Sequence, residues 1–163
     1  MEIWIREYTP RDTREVLPIW NRIVEEGLAF PQMEILTESR GKMFFSEQSF
    51  TGLACEQESG KIVGCYILHP NNIGRCGHIC NASYAVHPDW RGYHIGEQLV
   101  KHSLAKGKEL GFRILQFNAV VKSNQAALRL YEKLGFVPLG TIPGGFLRKD
   151  GRYEDIIPHY RIL

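Results

Sequence analysis

A chain of 163 residues is long enough to bury one real core and too short for two comfortable ones, which points to a single domain over 1–163. Its formal charge of +2, with both signs scattered and no basic run or stripe, argues against nucleic acid as a partner. Residues 1–9 alternate polar and apolar with no basic-then-apolar leader, and no window reaches the roughly 18 apolar residues of a membrane span, so a soluble, cytoplasmic protein is expected.

Ile3 and Ile5 alternating with Trp4 and Arg6 predict a short first strand, stopped by Thr9-Pro10. Asp12 or Thr13 then caps a helix in which Val16, Leu17, Trp20, Ile23 and Val24 recur at helical spacing, and Gly27 is its stop signal. A second helical stretch covers 37–45. Residues 28–35 between them, with Phe30-Pro31, read either as a loop over the substrate side or as a plain connector. Strands at 53–58 and 62–68 flank Ser59-Gly60 as a hairpin, and 70–77 is a polar loop.

The stretch from Tyr84 to Leu110 organises the chain. A strand predicted over 78–86 runs into His87-Pro88, an Arg91-Gly92 turn follows, and an amphipathic helix over 96–110 begins at once, so a row of free backbone N–H groups must point out of the turn. The helix dipole puts about half a positive charge at that end, and Arg91 adds a whole one, so the expected ligand carries phosphates close together, as a pyrophosphate does. A strand over 114–121, a helix over 124–134 ended by Gly135, and closing strands at 137–142 and 156–162 complete the chain. Only the strand-helix-strand at 78–121 suggests a parallel crossover, so the fold class is α+β, or mixed α/β, with a mixed, mostly antiparallel central sheet flanked by helices in three layers.

The four cysteines, Cys55, Cys65, Cys76 and Cys80, are expected as reduced thiols. Cys76, His78 and Cys80 alternate and would share a strand face, a fragment of a metal site. A structural zinc site needs four ligands, so no metal is expected and buried strand cysteines are the preferred reading.

Three runs, V-H-P-D-W-R-G-Y-H-I-G at 86–96, S-N-Q-A-A-L-R-L-Y-E-K-L-G-F at 123–136 and D-G-R-Y-E-D at 150–155, resemble in order the GNAT superfamily of acetyl-CoA-dependent N-acetyltransferases. The resemblance implies acetyl-CoA as cosubstrate, with Arg91, Gly92, Tyr93, His94, Ile95 and Gly96 at its pyrophosphate and the backbone around Ala85 and Val86 pairing with its pantetheine arm. His94 stands where a glycine is usual; its ring either adds positive charge near a phosphate or points to solvent. Asn124 and Tyr131 match family positions, Tyr131 being the residue that donates toward the coenzyme sulfur. From the residues alone, Asn124 also reads as an N-cap and Tyr131 as a core aromatic beside Ala127 and Leu134.

G-R-C-G-H-I-C-N-A-S-Y at 74–84 and Q-F-N-A-V at 116–120 further resemble fungal acetyltransferases that detoxify proline analogues such as azetidine-2-carboxylate, which implies that Asn81 and Asn118 hold a small amino acid. Alternation puts Leu115, Phe117, Ala119 and Val121 on one face and Asn118 with Gln116 on the other. The expected reaction is direct attack of a small-molecule amine or amino acid on the thioester, with a water chain held by the asparagines, or His78, taking the proton. The alternatives are a non-catalytic acetyl-CoA-binding regulatory module and acetylation of a protein N-terminus or lysine. The resemblance also raises a homodimer, for which no apolar face in the sequence speaks.

Overall fold

The computed structural model describes residues 1–163 and runs β1 (Ile3–Glu7), α1 (Thr13–Glu26), α2 (Glu38–Ser46), β2 (Phe50–Glu56), β3 (Ile62–Pro70), β4 (Ile79–Val86), α3 (Ile95–Glu109), β5 (Ile114–Val121), α4 (Gln125–Lys133), β6 (Val137–Pro138), β7 (Ile142–Leu147) and β8 (Tyr153–Ile162). The strands form one sheet in the order β1-β2-β3-β4-β5-β8-β6, with β7 also on β8. Every pairing is antiparallel except β4 with β5. The mixed, mostly antiparallel sheet expected from the hairpins and the single crossover is the one observed.

Alternation along β2 and β3 sorts the core into two halves. Leu53, Cys65 and Ile67 turn to one side and meet Val16, Trp20 and Ile23 of α1. Tyr66 and Leu68 turn to the other, where Leu99 and Val100 of α3 and Leu115 and Phe117 of β5 cover them. The sheet is therefore the middle of three layers, and each large apolar side chain fully buried in it contributes about 1.5–3 kcal/mol. The entry to α1 is fixed by charge. Asp12 accepts from both terminal guanidinium nitrogens of Arg6 at 2.8 Å and from the Thr9 N–H at 2.8 Å, which holds its carboxyl below the usual carboxylate range.

Several boundaries differ from the expectations, each for a local reason. β2 begins at Phe50 because Thr51 continues the ladder and donates its hydroxyl to Phe45 O, tying the strand to the end of α2. The closing strand expected at 137–142 is broken in two. Pro138 lacks an N–H and Gly140 sits at φ +122°, so the chain leaves the ladder and re-enters it at Ile142. Its partner starts at Tyr153, earlier than 156. Cys76, His78 and Cys80 do not share a strand face: Cys76 is exposed on a 3₁₀ turn, β4 starts only at Ile79, and Cys80 is buried. In β5 a bulge between Phe117 and Val120 breaks the alternation, so the residues turned inward are Leu115, Phe117, Val120 and Val121 rather than every second one. Asn118 and Gln116 still share a face, Gln116 donating to Asn118 Oδ1 at 3.0 Å.

One departure from a regular sheet positions everything that follows. β4 and β5 pair only at Ile79 with Ile114 and at Cys80 with Leu115, and then part. From Asn81 onward β4 is bonded to β3 alone.

Candidate active site

The gap between the two parted strands is a cavity of about 190 Å³. Its walls are Asn81, Ala82, Ser83 and Tyr84 of β4, residues 117–121 of β5, and Asn124, Ala127 and Tyr131 around α4. Ala29, Phe30 and Pro31 close it from the side, so the segment between α1 and α2 is a wall of the cleft and more than a connector.

The register of β3 on β4 decides which backbone groups face the gap. His87 N–H donates to Val63 O and Asn71 N–H to Ile79 O, both at 2.8 Å, which marks the odd-numbered residues of β4 as those bonded to β3. The N–H and C=O groups of Ala82, Tyr84 and Val86 therefore point into the gap with no strand to receive them. Ala85 does not serve there. It stands opposite Cys65 in the ladder, and its methyl is 1 % exposed in the core on the α1 side. Of the pair expected to meet a pantetheine arm, Val86 has backbone groups free on the gap and Ala85 has none, whereas those of Tyr84 are also free there.

Beyond the end of β4, the turn and the start of α3 present a row of free backbone N–H groups. None of the six backbone N–H groups from Gly92 to Glu97 has a hydrogen-bond partner in the protein. Gly92 (φ +85°) and His94 (φ +60°) both adopt left-handed backbone, and turns that alternate into this region are the ones whose successive N–H groups make anion-binding concavities. The His94 conformation explains why a glycine suits this place: an L side chain there is strained, though histidine is among the residues that tolerate it. Its ring is 81 % exposed, with Nδ1 3.8 Å from Glu97 Oε2. Arg91 is not free. Its Nη2 lies 3.2 and 3.4 Å from the two carboxylate oxygens of Glu26, the last residue of α1. No local signal marks that pair, because the partners are far apart in the chain.

Tyr131 reaches the cavity from below. Its ring packs on Phe117 at 4.3 Å between centroids and lies near Phe136 and His159, and burial pushes its phenol well above the ordinary value near 10. It is at once a core aromatic and a cleft residue. Asn124 caps α4, accepting from Ala127 N at 3.2 Å, and also lines the cavity. Asn81 and Asn118 come together at the closed end, linked by a residue that the sequence marked only as part of a polar loop: Asn71 Oδ1 accepts from Asn81 at 3.0 Å and from Asn118 at 2.7 Å. His78 lies elsewhere, beside Arg113 and Ile162, and is no candidate for the proton acceptor. Cys80 is buried, its thiol pushed up to about 12 by desolvation, which removes it as a nucleophile.

The model of the Acetyltransferase (GNAT) family matches residues 13–136. The N-acetyltransferase aca1 of Schizosaccharomyces pombe is 37% identical over 95 residues, 58% of this chain but only 46% of that protein, so the match spans about half of that relative's length. Among solved structures, a GCN5-related N-acetyltransferase from Kribbella flavida superposes with a TM-score of 0.90 at 28% identity, covering 99% of this chain and 98% of that one. A GNAT superfamily phosphinothricin acetyltransferase from Sinorhizobium meliloti, in complex with AcCoA, has the same fold, with a TM-score of 0.91 at 21% identity over 100% of this chain and 89% of that one. The parted strands, the free N–H groups at the start of α3 and the match over most of the sequence agree: this chain belongs to the GNAT family of acetyltransferases.

Proposed function

We propose that the protein moves the acetyl group of acetyl-CoA to the amine of a small molecule, an amino acid or proline analogue, by direct attack of the neutral amine. The observation that carries this reading is the gap between β4 and β5, where an unpaired strand edge and a buried phenol line one cavity, with a row of free N–H groups following in the turn after β4. These groups fit acetyl-CoA. The N–H groups of Gly92 to Glu97 suit a pyrophosphate, and the free edge at Ala82, Tyr84 and Val86 suits the amides of a pantetheine arm, which adds itself as a short extra strand. Bound there, the coenzyme supplies an acetyl group activated as a thioester.

The chain's own residues do the rest. Tyr131 donates its phenolic proton in a hydrogen bond toward the sulfur on which charge develops, and a neutral, buried donor is suited to that work. Asn81 and Asn118 hold the acceptor at the closed end of the cleft. No carboxylate lines the cavity, so the amine's proton leaves through water held by these amides. An amine of pKa about 10.4 is neutral less than roughly a tenth of a per cent of the time at pH 7, a handicap of about 4–5 kcal/mol. The rate with such an amine should climb with pH until its own pKa is reached. The relative from Sinorhizobium meliloti is named for phosphinothricin, which supports a small acceptor carrying an amine.

The test is kinetic. Asn81→Ala and Asn118→Ala should each raise the acceptor KM about five- to tenfold, the loss of one directed hydrogen bond, and leave the acetyl-CoA KM unchanged. Normal acceptor kinetics in both variants would remove the asparagines from the site.

A further inference from the structure

Two of the cleft's polar side chains are not independent. Asn81 stands on β4 and Asn118 on β5, at the point where those strands part, and neither is held by its own strand's backbone. Both donate their Nδ2 to one atom, Asn71 Oδ1, at 3.0 and 2.7 Å. Asn71 follows directly on β3, and its N–H bonds to Ile79 O, so its backbone is anchored in the ladder while its side chain reaches across to the β5 side. Gln116 Nε2 then donates to Asn118 Oδ1 at 3.0 Å and closes the chain of amides.

The valences settle what this arrangement leaves over. A carbonyl oxygen has two lone pairs, and both of those on Asn71 Oδ1 are taken. Asn118 keeps one lone pair and one N–H. Asn81 keeps its whole carbonyl and one N–H. Of these four linked amides, only Asn81 and Asn118 line the cavity. We infer that Asn71 is a positioning residue: by accepting from both cleft asparagines it fixes their amides across the parted strands, so that carbonyl oxygens remain to receive the N–H groups of an amine and one N–H of each remains for a carboxylate oxygen. A free α-amino acid carries both kinds of group within a few ångströms, and that is the acceptor class this pair suits. The inference deepens the functional reading above and rests on it for the acceptor. The amide geometry stands by itself.

The experiment separates the two. Asn71→Asp keeps shape and two lone pairs but cannot donate, so it preserves both bonds only if Asn71 is the acceptor. Asn71→Leu is close in size and can do neither. For the free protein, side-chain amide signals of Asn81 and Asn118 in 15N spectra should stay dispersed in N71D and collapse to exposed-amide positions in N71L. With acceptor present, N71L should raise the acceptor KM about tenfold or more, with the acetyl-CoA KM and the melting temperature little changed, whereas N71D should stay within about threefold of the wild type. Undisturbed amide signals or an unchanged acceptor KM in N71L would overturn the inference. So would N71D as impaired as N71L, because Asn71 would then be the donor. If the wild type transfers acetyl to no amine, the functional reading falls, and the amide spectra alone decide for or against Asn71.

Discussion

Tyr131 illustrates how far a single residue's chemistry follows from its surroundings. A thiol has a reference pKa of about 8.5 and a phenol about 10, so complete proton transfer from an unperturbed tyrosine to a leaving thiolate runs uphill by roughly 2 kcal/mol. Burial raises Tyr131 further, which makes full transfer harder still and leaves a transition-state hydrogen bond as its role. The sign for pH follows: a raised phenol pKa keeps the donor protonated, so Tyr131 should cause no loss of kcat between pH 7 and about 9.5. Tyr131→Phe keeps the ring on Phe117 and Phe136 and should lower kcat on the order of ten- to a thousandfold with acetyl-CoA binding unchanged. A wild-type kcat measured where chemistry limits turnover would return Tyr131 to the core aromatics. Residues of this kind were legible in the sequence because a motif frames them. Asn71 and Glu26 were not, since each acts through a partner that is distant in sequence, and only the register of the sheet and the end of α1 bring the pairs together.

At the scale of elements, the same limit decides what was readable. The strand-turn-helix at β4 and α3 was legible because proline, the Arg91-Gly92 turn and the apolar spacing of the helix are all local signals, and they place the free N–H groups correctly. The bulge in β5 was not, because it answers to a neighbouring strand; the break between β6 and β7, by contrast, is marked locally by Pro138 and Gly140. Nor does alternation alone say whether Ala85 or its neighbours face the gap; the pairing of His87 with Val63 does. The Arg91–Glu26 ion pair makes a further prediction about these elements. On the reading that Arg91 serves the phosphates, binding must exchange Glu26 for the ligand, and an exposed pair of this kind is weak and salt-sensitive. Glu26→Gln should therefore lower the acetyl-CoA KM about two- to fivefold at low ionic strength, with the difference shrinking in salt. An acetyl-CoA KM that rises in this variant would show that Glu26 holds Arg91 in its working position.

The whole molecule is a three-layer body in which α1 is pinned to β1 by charge. Asp12 titrates below its ordinary value because Arg6 donates two hydrogen bonds to it, so its contribution is present above the unfolded pKa near 3.9 and is lost as pH falls through the lower folded value. Asp12→Asn should reduce stability at pH 7 by about 1–3 kcal/mol and flatten the acid limb of the melting temperature below pH 4. An acid limb equal to the wild type's would place its origin in other carboxylates. Acetyl transfer to a small amine can be read by incubating the protein with acetyl-CoA and a panel holding azetidine-2-carboxylate, proteinogenic amino acids, a lysine ester and an N-terminal peptide, with products identified by mass spectrometry. Free coenzyme A and an N-acetylated small amino acid or analogue should appear in equal amounts. Acetyl-CoA that binds without turnover on any amine, or transfer confined to the peptide, would contradict transfer to a small amine.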